Sequence, residues 1–276
     1  MAHHWAAAWG GRGATYTTLI ALTLLGAGLR AFRLDQGLWF DEIVTLLDSV
    51  RPPLSAILTT FTGDNQHSLY SVLAHFSVGI FGEHAWSLRL PAVVFGILSI
   101  PALYWLGSLL ASRLEALLAA TLLVFSYHHI WFSQNARGYT GLLFWTLVST
   151  CLLLRGLQES RRADWVLYAV AAALGVYTHL TMVFVLAGHF LVGVWWASTK
   201  WKPISKHSQQ WRGLLWGFSL GGILTLLLYA PLLQQMIQFF LRPRTTVESE
   251  WMNPLWTILE ALRGLQVGLA AGLVGV

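Results

Sequence analysis

The sequence predicts an all-α fold, a polytopic bundle of membrane-spanning helices. Of its 276 residues, 56% are hydrophobic and only 11% are charged, against roughly a quarter charged in a soluble domain. The apolar residues form long runs, which suit helices and not the short alternating segments of an outer-membrane barrel. In such a protein the net charge of +5 is expected to set membrane orientation, so it does not indicate nucleic-acid binding.

Apolar runs between polar turns predict about eight membrane spans within a single domain, residues 1–276. The spans are residues 16–32, 89–110, 114–130, 140–154, 165–177, 180–196, 214–233 and 254–276. Residues 68–81 are also apolar, but they are short for a span of roughly 20 residues. We expect an interfacial or re-entrant helix there.

The positions of the basic residues favour this topology over one in which residues 68–81 cross the membrane. Without that crossing, the basic turns, which contain every lysine, lie on the same side as Arg12, and this side is then cytoplasmic. These basic residues are Arg113, Arg155, Arg161, Arg162, Lys200, Lys202, Lys206 and Arg212. The N-terminus is therefore expected in the cytoplasm. The first loop, residues 33–88, the polar residues 133–139 and the loop 234–253 are expected outside.

The sequence ends within an apolar run, residues 270–276, that no basic residue follows. We expect the natural protein to continue into a further C-terminal part.

Two adjacent acids, Asp41 and Glu42, open the first outer loop. Acidic side chains at a membrane boundary are costly, so they usually have a partner or a function there. They also stand at the start of a helical pattern, where negative charge suits the helix dipole. Helix capping and a functional role are compatible, and both interpretations stay open.

Four short elements stand out in the sequence: residues 33–42, RLDQGLWFDE; residues 65–70, NQHSLY; residues 133–139, SQNARGY; and residues 177–179, YTH. In this order they resemble elements of the protein O-mannosyltransferase-like superfamily, glycosyltransferase family 39, which includes aminoarabinose transferases. Residues 33–42 are similar to the family's first outer loop with its Asp-Glu pair. Residues 65–70, NQHSLY, resemble its His-Pro-Pro-Leu-Tyr element. Residues 133–139, SQNARGY, resemble Ser-Gln-Glu-Ala-Arg-x-Tyr, with Asn135 in place of Glu, and residues 177–179, YTH, resemble a further signature.

The resemblance implies a GT-C fold and an inverting glycosyltransferase, a hexosyl- or pentosyltransferase, that uses a polyprenyl-phosphate sugar donor. The acceptor would be a protein, a lipid or a cell-envelope glycan outside the plasma (inner) membrane. A carboxylate can take the proton of an acceptor hydroxyl, and arginine suits phosphate oxygens. We therefore assign Asp41 as the base and Glu42 as a second acid that orients the acceptor or supports Asp41. Arg137 would hold the donor phosphate with Tyr139 beside it; its alternative role is an anchor at the membrane interface.

His67 and His179 are weaker candidates for contact with the donor phosphate. Most histidines near loops satisfy local backbone groups, and a His–carboxylate pair that holds a divalent metal is a further alternative. We assign no metal ligand and no certain cofactor. His128 and His129 point about 100° apart on a helix, so they are expected to be structural and not to share an ion.

Two other classes of protein fit the same polar residues. A transporter or flippase for a lipid-linked or anionic substrate would line its pathway with these acids and Arg137. Transporters often show broken paired helices or repeats, which the sequence does not display. An inactive, truncated relative is the third class, and sugar transfer that depends on Asp41 would separate the enzyme from both.

Overall fold

The computed structural model describes residues 12–63, 66–198 and 204–241, and every regular element within these ranges is helical. The all-α prediction is confirmed. The helices are α1 (Arg12–Ala31), α2 (Phe40–Val44) with a π-helical continuation (Thr45–Val50), α3 (Leu54–Thr59), α4 (Ser68–Phe81), α5 (Ala85–Leu110), α6 (Arg113–Val124), α7 (Tyr127–Ser133), α8 (Tyr139–Glu159), α9 (Arg162–Thr178), α10 (Met182–Ser198), α11 (Ile204–Tyr229) and α12 (Leu233–Leu241).

The chain divides into two compact units, Met1–Gln234 and Gln235–Val276. The first contains α1 to α11. Of the second, the structure describes only residues 235–241, which belong to α12 within the predicted loop 234–253. The predicted last span, residues 254–276, lies outside the described residues, as does the rest of that loop.

Three of the described helices are long and apolar enough to cross a membrane. They are Ala85–Leu110, Tyr139–Glu159 and the part of α11 from Gln209 to Tyr229. The bent pair α6 and α7 makes a fourth if it counts as one span. The chain is therefore a multi-pass membrane protein by length and composition, but the eight-span count is not confirmed. Helices α4 and α10 are apolar but shorter than a span.

The predicted span 114–130 is not one straight helix, because the chain breaks and turns by 60° between α6 and α7. Ser126 causes a second helix to begin here: its hydroxyl accepts a hydrogen bond from the backbone N–H of His129 at 3.4 Å, as an N-cap does. The Leu123 carbonyl at the end of α6 accepts a hydrogen bond from Arg30 at 3.1 Å. The break therefore has its own capping interactions on both sides.

Helix α4 has the bounds that the sequence predicts for a short helix, Ser68–Phe81. It packs against the π-helical turn Thr45–Val50 and against α5 through a buried apolar cluster. The cluster consists of Leu46, Val50, Tyr70, Ala74, Leu88, Ala92 and Ala136. The Tyr70 hydroxyl also donates to the Leu88 carbonyl at 2.5 Å. These contacts place the start of α4 and the polar residues before α8 at one end of the bundle.

Helix α9 packs between α8 and α11 through Trp165, whose indole ring is surrounded by glycines. A Cβ on Gly156 of α8 would lie 2.9 Å from the ring, and one on Gly217 of α11 would lie 2.6 Å from it. Small residues on facing helices let backbones approach closely in membranes. Because these glycines have no side chains, they leave the space that the Trp165 ring fills.

We expect Gly217→Ala to destabilise the protein relative to Gly222→Ala. Both substitutions lie on α11 and gain the same helix propensity, about 1 kcal/mol. Only the first forces its new methyl group into Trp165, since a Cβ on Gly222 meets nothing within 4 Å. Overpacking costs about 1–3 kcal/mol. Thermal unfolding of the two variants in detergent measures the difference, and equal melting temperatures would contradict this packing.

Candidate functional site

Four polar segments meet at one end of the first unit, and three side-chain contacts join them. Asp41 of α2 contacts Arg137, which lies just before α8. Arg137 donates to His67 at the start of α4. The His67 ring lies 4.7 Å from the ring of His179, which ends α9. The first outer loop and residues 133–139 are thus brought together, as the topology drawn from the sequence requires.

Asp41 is the accessible acid of this site. Its side chain is 60% exposed, and its Oδ2 lies 3.3 Å from Nη1 of Arg137. The two atoms form an ion pair without hydrogen-bond geometry. The carboxylate is therefore held loosely beside the cation and has room to turn toward a substrate.

Glu42 is fully buried, and four N–H donors occupy its two oxygens. Oε1 accepts from Arg89 Nε at 2.8 Å and from the backbone N–H of Ala136 at 2.7 Å. Oε2 accepts from Arg89 Nη2 at 2.6 Å and from the backbone N–H of Trp39 at 3.0 Å. The last contact is the helix cap that the sequence offers as the alternative role. No carboxylate lone pair remains for an acceptor, so the geometry favours support of Asp41 over contact with substrate.

Arg137 is 6% exposed, and two neutral side chains fix the plane of its guanidinium group. Nε donates to His67 Nε2 at 3.1 Å, and Nη2 donates to the Tyr139 hydroxyl at 3.2 Å. Nη1, on the side of Asp41, makes no hydrogen bond to any described residue. A buried N–H group without a partner is costly. Arg137 therefore has donor capacity for an anion, unlike a simple anchor at the membrane interface.

His67 is a neutral acceptor. Burial, reinforced by His179 and Arg137, lowers its pKa to about 3. Because Arg137 Nε always carries a hydrogen, Nε2 of His67 must accept, and the proton of His67 is on Nδ1. His67 thus orients Arg137 and has its acceptor nitrogen already occupied.

His179 has the opposite tautomer. Its Nδ1 accepts from the backbone N–H of Thr181 at 3.3 Å, so the proton is on Nε2. Burial, followed by the charge of Arg137, lowers its pKa below the ordinary value. The ring is only partly buried and lies 5.5 Å from that of Tyr139. His179 can therefore offer a neutral N–H donor beside Arg137.

Gly138 allows the start of α8 to approach the end of α9. A Cβ at this position would lie 2.8 Å from the Thr178 carbonyl oxygen and 3.1 Å from the His67 ring. A side chain at residue 138 would therefore force apart the start of α8, the end of α9 and the His67 ring.

The alternative in which a histidine and a carboxylate hold a divalent metal is not supported by any cluster of ligands in the part of the chain that the structure describes. No three His, Cys, Asp or Glu residues in ranges 12–63, 66–198 and 204–241 are grouped to hold an ion. His129 is buried and its Nδ1 accepts from Arg30 at 2.6 Å, whereas His128 is exposed. The adjacent histidines do not share a ligand.

Arg89, which binds Glu42 in the site, was not predicted as a site residue from the sequence. In the sequence it is the first residue of an apolar span. The available signal was the charge itself, because an arginine within a membrane helix usually has a specific partner. Gln134 was also missed; its amide donates to the Phe32 carbonyl at 2.8 Å and so ties residues 133–139 to the end of α1.

A comparison with protein families indicates the class of protein, a membrane glycosyltransferase of the GT-C type, and the helical fold agrees with it. Residues 68–233, more than half of the chain, match the model of the dolichyl-phosphate-mannose-protein mannosyltransferase family. The chain belongs to this family. No curated protein matches the chain. The matched residues contain Arg137, Tyr139 and His179, whereas His67, Asp41 and Glu42 lie before them.

We expect the protein to lose stability in acid because of His67. A folded-state pKa near 3 lies below the unfolded value of about 6.5, so the unfolded state binds more protons as pH falls. His67 then lowers the free energy of unfolding by about 1.4 kcal/mol per pH unit below 6.5.

The measurement is the melting temperature between pH 7.5 and pH 5 for wild type and His67→Gln, whose amide oxygen can still accept from Arg137. The variant should lose less stability than wild type over this range. His128→Gln, at an exposed histidine, is the control and should follow wild type. Identical pH dependence in all three proteins would show that His67 is not buried in neutral form.

Proposed function

We propose that the protein transfers a sugar from a polyprenyl-phosphate donor to an acceptor outside the plasma membrane, with inversion at the anomeric carbon and Asp41 as the base. One observation carries the proposal. An exposed carboxylate lies 3.3 Å from a buried guanidinium nitrogen that makes no hydrogen bond to a described residue. A base and a phosphate-binding group thus stand side by side.

Arg137 would hold the phosphate of the donor through Nη1. Arg–phosphate hydrogen bonds are strong and charge-assisted, and His67 and Tyr139 already fix the guanidinium plane. The Nε2–H of His179 and the Tyr139 hydroxyl would add neutral donors. These groups stabilise the charge that develops on the phosphate as it leaves.

Phosphate binding would also release Asp41, because the phosphate competes with its carboxylate for the same guanidinium nitrogen. The freed side chain would turn toward the acceptor hydroxyl on the opposite face of the sugar. The acceptor oxygen bonds to the anomeric carbon while the carbon–oxygen bond to phosphate breaks. The hydroxyl proton passes to Asp41, and the bonding electrons leave with the polyprenyl phosphate.

The acceptor in this proposal is a protein, a lipid or a cell-envelope glycan. The N-terminus would be cytoplasmic, and the site would face the opposite side of the plasma (inner) membrane. Two observations support this placement: the basic turns follow the positive-inside pattern, and the acidic first loop contacts residues 133–139. Residues 1–276 would act as one transferase domain.

We expect Asp41→Asn to abolish transfer while donor binding is kept. Loss of a general base lowers kcat by about 100- to 10,000-fold. The assay follows radiolabelled sugar from a panel of polyprenyl-phosphate donors into membrane extracts at matched expression. Asp48→Asn, an exposed acid of the adjoining π-helical turn, is the control and should transfer at the wild-type rate. Equal transfer by the Asp41 variant would exclude Asp41 as the base.

Arg137→Lys should weaken donor binding and also slow the chemical step, because Arg137 would hold the phosphate both before and while it leaves. Lysine keeps the charge, but it cannot bond His67, Tyr139 and a phosphate with one planar group. Loss of a charge-assisted hydrogen bond should raise the donor KM by about 10- to 100-fold. Arg161→Lys, at an exposed ion pair with Glu159, is the control. An unchanged KM would indicate that the phosphate binds elsewhere.

A further inference from the structure

Arg89, in the first two turns of α5, is almost completely buried and uses all five of its N–H donors. Its side chain is 3% exposed. Two donors bind the carboxylate oxygens of Glu42, and three bind backbone carbonyls of the first outer loop. An arginine has five such donors. Arg89 is therefore completely engaged with one short stretch of chain.

The three carbonyls belong to Leu34, Gln36 and Gly37, in the segment that links α1 to α2. Nη1 donates to Leu34 at 2.7 Å and to Gln36 at 2.9 Å, and Nη2 donates to Gly37 at 3.0 Å. This segment has no regular secondary structure between residues 37 and 39 to fix its path. The guanidinium group therefore binds carbonyls of the segment that leads into α2.

Glu42 links Arg89 to the segment that carries Arg137. Its Oε1 accepts from the backbone N–H of Ala136, the residue before Arg137. Asp41 is adjacent to Glu42 on α2. The buried Glu42–Arg89 pair thus joins the helix that carries the exposed acid to the segment that carries Arg137.

We propose that Arg89 is a positioning residue for the reaction: it sets the location of Asp41 relative to the donor held by Arg137. This inference rests on the proposed function, in which Asp41 is the base. Arg89 itself touches neither reacting group and has no donor left for a substrate. Its effect is geometric, and a displacement of about 1 Å can cost up to 100-fold in rate.

Arg89→Lys separates geometry from charge. Lysine still neutralises Glu42, but its three donors cannot hold two carboxylate oxygens and three carbonyls. His67 and Tyr139 continue to hold Arg137, so donor binding should be kept. We expect kcat to fall about 10- to 100-fold while the donor KM changes less than about twofold.

The matched control is Arg51→Lys. Arg51 also bonds both oxygens of a glutamate, through Nε and Nη2 to Glu83, but that pair is exposed. Both variants are purified in detergent and compared with wild type in three ways: transfer kinetics, melting temperature, and hydrogen exchange of peptides covering residues 34–42. Exchange in residues 34–42 should rise only in the Arg89 variant.

The outcomes decide between positioning and other roles. A lower kcat with unchanged donor KM and faster exchange in residues 34–42 supports the inference. Wild-type kcat in Arg89→Lys overturns it, as does a lower kcat without faster exchange. If neither Arg89→Lys nor Glu42→Gln yields folded protein, the pair serves folding alone and the inference is wrong.

The proposed function is tested separately in the same experiment. Wild type that transfers no sugar from any donor would overturn the function and this inference together. Wild-type transfer that Asp41→Asn abolishes and Arg89→Lys leaves intact would overturn the inference alone.

Discussion

The geometry of the site depends on one buried ion pair between Glu42 and Arg89. Removing two charges from water costs several kcal/mol for each ion, and their attraction offsets this only if the remaining hydrogen-bonding groups are also satisfied. Here they are: Glu42 accepts four hydrogen bonds, and Arg89 donates five. Such a pair contributes little net stability, but loss of one partner is expensive, about 3–5 kcal/mol. Its effect is to make one arrangement of the first loop much lower in free energy than the others.

The other charged groups of the site, Asp41 and Arg137, are placed so that a phosphate could replace Asp41 beside Arg137. The buried pair is neutral overall, and both imidazoles near Arg137 are held in neutral form. Among the described residues, Arg137 is paired with one carboxylate, that of the exposed Asp41. Nη1 of Arg137 makes no hydrogen bond to Asp41, so in the proposed reaction an incoming phosphate would displace this carboxylate. The displacement would link donor binding to release of the proposed base.

The apolar part of the bundle supplies rigidity below the site. Trp165 of α9 fills the space left by Gly156 of α8 and Gly217 of α11, and Gly138 allows α8 and α9 to meet beside the histidines. Helices in a lipid environment associate through such close packing, because lipid chains are as apolar as the side chains they would replace. The absence of a side chain at Gly138 also leaves room for the ring of His67, which accepts from Arg137.

The sequence by itself determined the all-α membrane class, the position of α4 and the polar segments from which the site is built, because these follow from the distribution of apolar and charged residues. It also indicated that Asp41 and Glu42 lie with residues 133–139. Only the tertiary structure decided which acid is free. Asp41 and Glu42 point about 100° apart on α2, and the rotation of that helix against α5 turns Glu42 toward Arg89 and leaves Asp41 exposed. The break within residues 114–130 also became visible only in the structure, where Arg30 donates to the carbonyl of Leu123 at the end of α6. The contacts of Arg89 with Glu42 and of Arg30 with Leu123 join residues 47 or more positions apart in the chain, which local patterns do not encode.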